Sequence, residues 1–177
     1  MSVSASQAIF QKSNRRIAVL ALVILALDQS SKWIVLRELY TGDERVIIPG
    51  FFKFVHWVNK GAAWSLFSGS NSNGALALVA LLAFVALFLT RHHFDSHTLA
   101  GQIAFGLIFG GIAGNLTDRL LPSRHAVVDF IYFYLQQRDG GEVGFPAFNL
   151  ADTAICIGAG LLILSMLLSN RKLNAEA

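Results

Sequence analysis

The sequence predicts an integral membrane protein, mainly α-helical, with four transmembrane helices and strand-like polar segments between them. Three observations carry this. Of 177 residues, 54% are hydrophobic and only 14% are charged, against roughly 25% charged in a soluble domain. Mean hydropathy is +0.55. The apolar residues also gather into four runs, each near the length needed to cross a bilayer core. The length suits a single integral membrane domain over 1–177. The formal net charge of +3 is small and the basic residues form no long run, so no nucleic-acid partner is expected. Cys156 is the only cysteine, so no intrachain disulfide can form and the compartment stays open on that count.

Residues 1–16 form a polar, Ser-rich extension carrying Lys12, Arg15 and Arg16. Ile17 to Leu27 has the length of a signal-peptide core, but no small-x-small cleavage site follows it. Trp33-Ile34-Val35-Leu36 resumes the apolar pattern, so residues 17–36 read as an uncleaved first span. Val46 to Asn59 is rich in β-branched and aromatic residues around a Pro49-Gly50 turn signal. It predicts one or two strands at the membrane surface. Gly61-Ala62-Ala63 breaks that pattern, and Ser68 to Gly74 reads as a loop.

Residues 75–90 form the second span, and Arg91 to Ser96 a tight connection. Residues 98–118 form the third. Its Gly106, Gly110 and Gly114, each four apart, make two overlapping GxxxG signals for close helix approach. Residues 121–145 are a second polar loop holding a strand-like run, Val127 to Leu135. Residues 147–168 form the fourth span, followed by Arg171 and Lys172.

Four spans put both termini on one side of the membrane. Lys12, Arg15, Arg16, Arg91, Arg171 and Lys172 lie there, in about half the loop length that carries the seven Lys and Arg of the other side. The denser basic side is expected to be cytoplasmic, which places both longer loops outside.

The candidate chemistry lies in the polar residues of the spans. With Pro146 taken as the first helical residue, Asp152 falls about 9 Å inside the fourth span at 1.5 Å per residue. A carboxylate there is costly and marks a functional site. Its natural partner is Asp129, within the strand-like run, and the two read as a catalytic pair at a membrane surface. Asp28 and Lys32 share a face of the first span. They read more readily as an ion pair that lets the helix hold both charges than as chemistry.

Asn115 and Arg119 share a face of the third span, and Asn149 sits three residues before Asp152. Each fits either the site or a bond between helices. Asn59 fits either a turn or the site. Cys156 reads as a small packing residue, deep in an apolar run where a thiol behaves as a hydrophobe. His92, His93 and His97 fall in a short loop on the side away from Asp129 and read as solvated or headgroup-facing. Ser30 and Lys32, two apart on a helix, do not face each other as a dyad would. There is no nucleophile elbow and no HExxH zinc motif.

These stretches together resemble the lipoprotein signal peptidases (signal peptidase II). The resemblance rests on Asp28-Gln29-Ser30-Ser31-Lys32, Asn59-Lys60-Gly61-Ala62-Ala63-Trp64-Ser65, Gly110 to Arg119, Val127-Val128-Asp129-Phe130, and Phe145 to Asp152, all five in order. It implies four helices with a small extracytoplasmic β-cradle in the bacterial inner membrane. It implies an aspartic endopeptidase that cuts diacylglyceryl-modified prolipoproteins just before the lipidated cysteine. Asp129 and Asp152 match the family's catalytic dyad. Asn59, Asn115, Arg119 and Asn149 match site residues around it, and Asp28 and Lys32 match polar positions that support the fold. Lys60 and Trp64 depart from the expected second motif.

Such a pair needs no metal, cofactor or covalent intermediate, and its partners would be lipid-modified prolipoproteins and membrane lipids. The rival readings are a small ion-coupled carrier, whose acids would relay protons across the membrane, and a non-enzymatic assembly subunit. The clustering of the acids near one side favours the hydrolase.

Overall fold

The computed structural model describes residues 5–61, 72–94 and 96–175. Its elements run α1 (Ala5–Glu38), β1 (Glu44–Ile48), β2 (Phe52–Asn59), α2 (Ser72–Thr90), a 3-10 turn (Arg91–His93), α3 (Leu99–Leu120), β3 (Val127–Gln136), β4 (Glu142–Gly144) and α4 (Leu150–Ala175). Among the described residues, four helices are long and apolar enough to cross a membrane: Gln11–Glu38, Asn73–His93, Leu99–Leu120 and Leu150–Leu168.

α3 is the hub. Its most apolar stretch is 61% buried, against 17% or less in the other three. The GxxxG glycines explain why α1 can lie against it. A Cβ on Gly106 would sit 2.8 Å from Leu20, one on Gly110 2.7 Å from the Ala21 carbonyl, and one on Gly114 2.5 Å from the Asp28 carboxylate. The next face of α3 takes α4, where a Cβ on Gly111 would meet the Ala151 carbonyl at 2.5 Å. Helices lacking a hydrophobic drive to associate in lipid rely on such close approach. α2 packs on α3 through Phe84 and Phe109, ring centroids 4.9 Å apart. The outer faces of α1, α2 and α4 expose Leu22, Leu27, Val79, Leu82, Ile163 and Leu167, as lipid-facing helices do.

The four strands form one antiparallel sheet in the order β1-β2-β3-β4. Pro49 and Gly50 turn β1 into β2, closed by Phe51 N donating to Ile48 O at 3.1 Å. Gly50 has φ +73°, a conformation that glycine takes without strain. Lys53 on β2, 3% exposed, ties the sheet crosswise. Its ammonium reaches Glu44 at 2.5 Å and Glu142 at 2.6 Å, with the Tyr134 ring centroid 4.7 Å away.

Several boundaries differ from the sequence reading. The polar extension is helical from Ala5, because Ser13 and Arg16 find partners in Ser96 O and Gln102 on the neighbouring chain segment. α2 begins at Ser72, so residues 72–74 are helix and not loop. The rest of that loop, and Ala62 to Ser65 of the second motif, lie outside the described residues. β4 escaped notice because three residues leave no periodicity to read. α4 begins at Leu150, not 147. Pro146 is not the first helical residue: Phe148 pairs with Ile131 as a strand bridge, and the helix starts only after Asn149. Asp152 therefore sits in the first turn of α4, shallower than one and a half turns.

Candidate active site

The start of α4 is built against β3. Phe130 N and Ile131 N both donate to Phe148 O, at 3.1 and 2.9 Å, and Phe148 N donates to Ile131 O at 3.0 Å. This bridge seats Asn149 beside Asp129. Asn149 Oδ1 accepts from Asp152 N at 3.0 Å, while Asp152 Oδ2 accepts from Asn149 N at 3.2 Å. That is a reciprocal cap, with Asp in the place of the usual Glu.

The two aspartates are joined through asparagines. Asn149 Nδ2 donates to Asp129 Oδ1 at 2.8 Å, and Asn59 Nδ2 donates to Asp129 Oδ2 at 2.9 Å. Asn115 Nδ2 donates to Asp152 Oδ1 at 2.7 Å, and Asn115 Oδ1 lies 3.2 Å from Asn149 Nδ2. Asn59, Asn115 and Asn149 thus all converge on the pair. Asp129 is 3% exposed and Asn149 fully buried, while Asp152 is half-buried. Burial, and after it the charge of Asp152, pushes the Asp129 carboxyl up to about 7 from its ordinary 3.8; the bonds from Asn59 and Asn149 and the charge of Lys32 oppose that rise.

Both carboxyls open on a cavity of about 470 Å³ whose walls are mostly apolar, including Phe145, Phe148 and Ile155. Arg119 does not line this cavity. Its Nη2 donates to Gly61 O at 3.2 Å, holding the segment after Asn59, while its buried Nε finds no acceptor among the described residues. Cys156 lines the same cavity and is exposed. It is not a core residue: the thiol is on the open face of α4, one turn beyond Asp152. Among the described residues, no group of three or more His, Cys, Asp or Glu could hold a metal ion.

Asp28 and Lys32 form part of a larger buried network. Lys32 Nζ lies 2.8 Å from Asp28 Oδ2, 2.7 Å from Asp118 Oδ2 and 3.1 Å from Asn115 Oδ1. Asp28 Oδ1 accepts from Ala151 N at 3.0 Å in the first turn of α4. The pair therefore joins α1, α3 and α4, where sequence reasoning placed it within one helix. Asp118, fully buried and bonded also to Arg124, was passed over. Its signal was present, since an acid three residues after Asn115 near a span's end calls for a cation.

The Signal peptidase (SPase) II model, peptidase family A8, matches residues 20–168. The chain belongs to the signal peptidase II family. A lipoprotein signal peptidase of Bacillus pumilus (strain SAFR-032) is 33% identical over 154 residues, spanning 87% of this chain and 94% of the relative. One from Symbiobacterium thermophilum (strain DSM 24528 / JCM 14929 / IAM 14863 / T) is 38% identical over 157 residues, spanning 87% and 95%.

Two solved bacterial membrane enzymes, determined by the in meso method, share the fold. One is 32% identical with a TM-score of 0.68, over 87% of this chain and 88% of its own. The other is 33% identical with a TM-score of 0.64, over 85% and 92%. This signal peptidase II is accordingly a membrane-embedded protease of lipoprotein processing, which removes signal peptides from lipoproteins.

Proposed function

We propose that this signal peptidase is an aspartic endopeptidase whose catalytic pair is Asp129 and Asp152, and that it cuts diacylglyceryl-modified prolipoproteins just before the lipidated cysteine. The observation that carries the reading is the convergence of both carboxyls, through Asn149 and Asn115, on one apolar-walled cavity. Two neighbouring acids in a poorly hydrated site share a proton. Asp129, held up to about 7, is the group that keeps it.

Asp152 then takes a proton from a water molecule as the water oxygen attacks the scissile carbonyl carbon. Asp129 donates a hydrogen bond to the carbonyl oxygen, where negative charge develops. Collapse of the tetrahedral intermediate breaks the C–N bond, and the proton passes to the departing amine of the lipidated cysteine. Asn59 and Asn149 fix the orientation of Asp129, and Asn115 that of Asp152. Arg119 holds the segment after Asn59 against the site. Asp28 and Lys32 support α4 from behind. The site faces the outer side of the bacterial inner membrane, with both termini in the cytoplasm, as the basic residues favour.

The test is a purified-protein cleavage assay on a lipobox peptide with and without diacylglycerol on its cysteine, with the product's new N-terminus read by mass spectrometry. Lipid-dependent release of a peptide that begins at cysteine is expected. Equal cleavage of the unlipidated peptide, or a cut elsewhere, overturns the substrate assignment.

A further inference from the structure

A second apolar cleft, of about 300 Å³, lies where the C-terminal turns of α1 meet the sheet, lined by Ile34, Val35, Phe54 and Phe130 with Glu38 and Arg45 also on its wall. None of these residues lines the cavity of Asp129 and Asp152. Arg45 on β1 is the register partner of Phe54 on β2, so directly opposed side chains put a cation and an aromatic wall on one face of the sheet. Arg45 is exposed, and its guanidinium makes no ion pair among the described residues. Among the described residues Glu38 has only Arg37 at 3.8 Å, with both side chains more than half exposed, a contact worth little in water.

The depth of the cleft is set by α1. Ile17 to Leu36 spans about 30 Å, the thickness of a hydrocarbon core. Trp33, 57% exposed, lies near its end with Arg37 over the ring at 5.6 Å, the arrangement of an interfacial anchor. Glu38 thus stands at headgroup level, about 6 Å beyond Ile34 along the helix, and Arg45 shares the cleft wall with it.

We infer that this cleft binds one phospholipid with a zwitterionic headgroup: an acyl chain along Ile34, Val35, Phe54 and Phe130, its phosphate on Arg45 and its ammonium on Glu38. Charge complementarity selects the occupant. A cation and an anion that do not pair with each other, above an apolar slot, match phosphatidylethanolamine better than an anionic lipid, which Glu38 would repel. A guanidinium also suits phosphate by its fork of donors.

Native mass spectrometry of the full chain released from nanodiscs tests this, with phosphatidylethanolamine, phosphatidylglycerol and diacylglycerol offered in turn. One tightly retained phosphatidylethanolamine is expected. Arg45→Gln should weaken its retention about tenfold, the loss of one charge-assisted bond. Glu38→Gln should erase the preference over phosphatidylglycerol, and Ile34→Trp should block binding of all three. Equal retention of the three lipids, or none changed by Arg45→Gln, means annular lipid only and overturns the site.

Cleavage of a detergent-solubilised substrate should keep its KM in Arg45→Gln. A raised KM for the lipidated substrate alone would make the substrate's own lipid the occupant and also overturn the inference. Lipid retention needs no turnover, so the outcome stands apart from the roles proposed for Asp129 and Asp152.

Discussion

Asn149 and Asp152 cap each other at the start of α4, each backbone N–H bonded to the other's side chain. The same asparagine holds Asp129 from its other end. One side chain therefore ends the extended segment, starts the helix and fixes the spacing of the two acids. Asn149→Ala should lose about 1 kcal/mol of capping and a donor to Asp129, lowering both thermal stability and turnover. Asn149→Asp keeps the cap and adds a third carboxyl. It should restore α4 amide protection, read by hydrogen exchange, without restoring cleavage. Full activity in Asn149→Asp would separate the cap from the site.

Asp28 serves α4 from the other side, through Ala151 N. Asp28→Ala should strip Lys32 of one of its two buried acids and leave that amide unpaired, a loss of about 3 kcal/mol. The check is the melting temperature in detergent. A variant as stable as the wild type that cleaves nothing would move Asp28 into the catalytic machinery.

Gly111 is one point where α3 and α4 approach closely, a Cβ there falling 2.5 Å from Ala151 O. Gly111→Ala drives a methyl into the Ala151 carbonyl, backbone that cannot turn aside, and into the Ile155 side chain. The helices should separate at a cost of about 1–3 kcal/mol, and Asn115 should lose its hold on Asp152. Reduced turnover with a lower melting temperature is expected; unchanged values for both would mean that the helices slide apart freely here.

Cys156 lies on the cavity wall but bonds to neither acid. Cys156→Ser should cleave at the wild-type rate. Reaction of the wild type with a bulky maleimide should slow cleavage by obstruction, and the Ser variant should resist. Loss of activity in a folded Ser variant would give the thiol a role of its own.

The spans were legible because apolar runs of helical length in a chain so poor in charge admit one reading, and the glycine spacing showed the face that α1 covers. The strands β1 to β3 were legible from β-branched and aromatic runs. The start of α4 was misread because Pro146 fits an extended segment as well as a first helical turn. Only the pairing of Phe148 with Ile131, a contact between distant segments, decides between them. Lys53 was missed for the same reason: in the sequence it is a lone cation in a strand-like run, and its two acids lie on strands 9 and 89 residues away. Asp28 and Lys32 showed their own pairing, four apart, and Asp118 showed its need of a cation, but nothing local reveals that Lys32 is that cation or that Ala151 N completes the network.

Asp129 and Asp152 should behave as one unit. Asn nearly matches Asp in shape but cannot accept the proton, so each single Asp→Asn change should remove most turnover, and the double variant little more. The wild-type pH profile should be bell-shaped, with two apparent constants that belong to the pair. The alkaline limb follows from the Asp129 proton, which leaves near pH 7. The same shift makes a stability claim with a definite sign. Between 3.8 and about 7 the unfolded chain has released this proton and the folded protein still holds it, so the fold loses stability as pH rises through that window. Asp129→Asn has no proton to lose. Its melting temperature should exceed that of the wild type near pH 8 and fall to parity near pH 4, because Asn mimics the protonated acid. The measurement is paired melting curves across pH, with cleavage of the lipidated peptide recorded on the same samples. A folded Asp129→Asn enzyme with near wild-type turnover would remove Asp129 from the chemistry, and a stability difference that does not change with pH would mean the carboxyl is ionised in the fold.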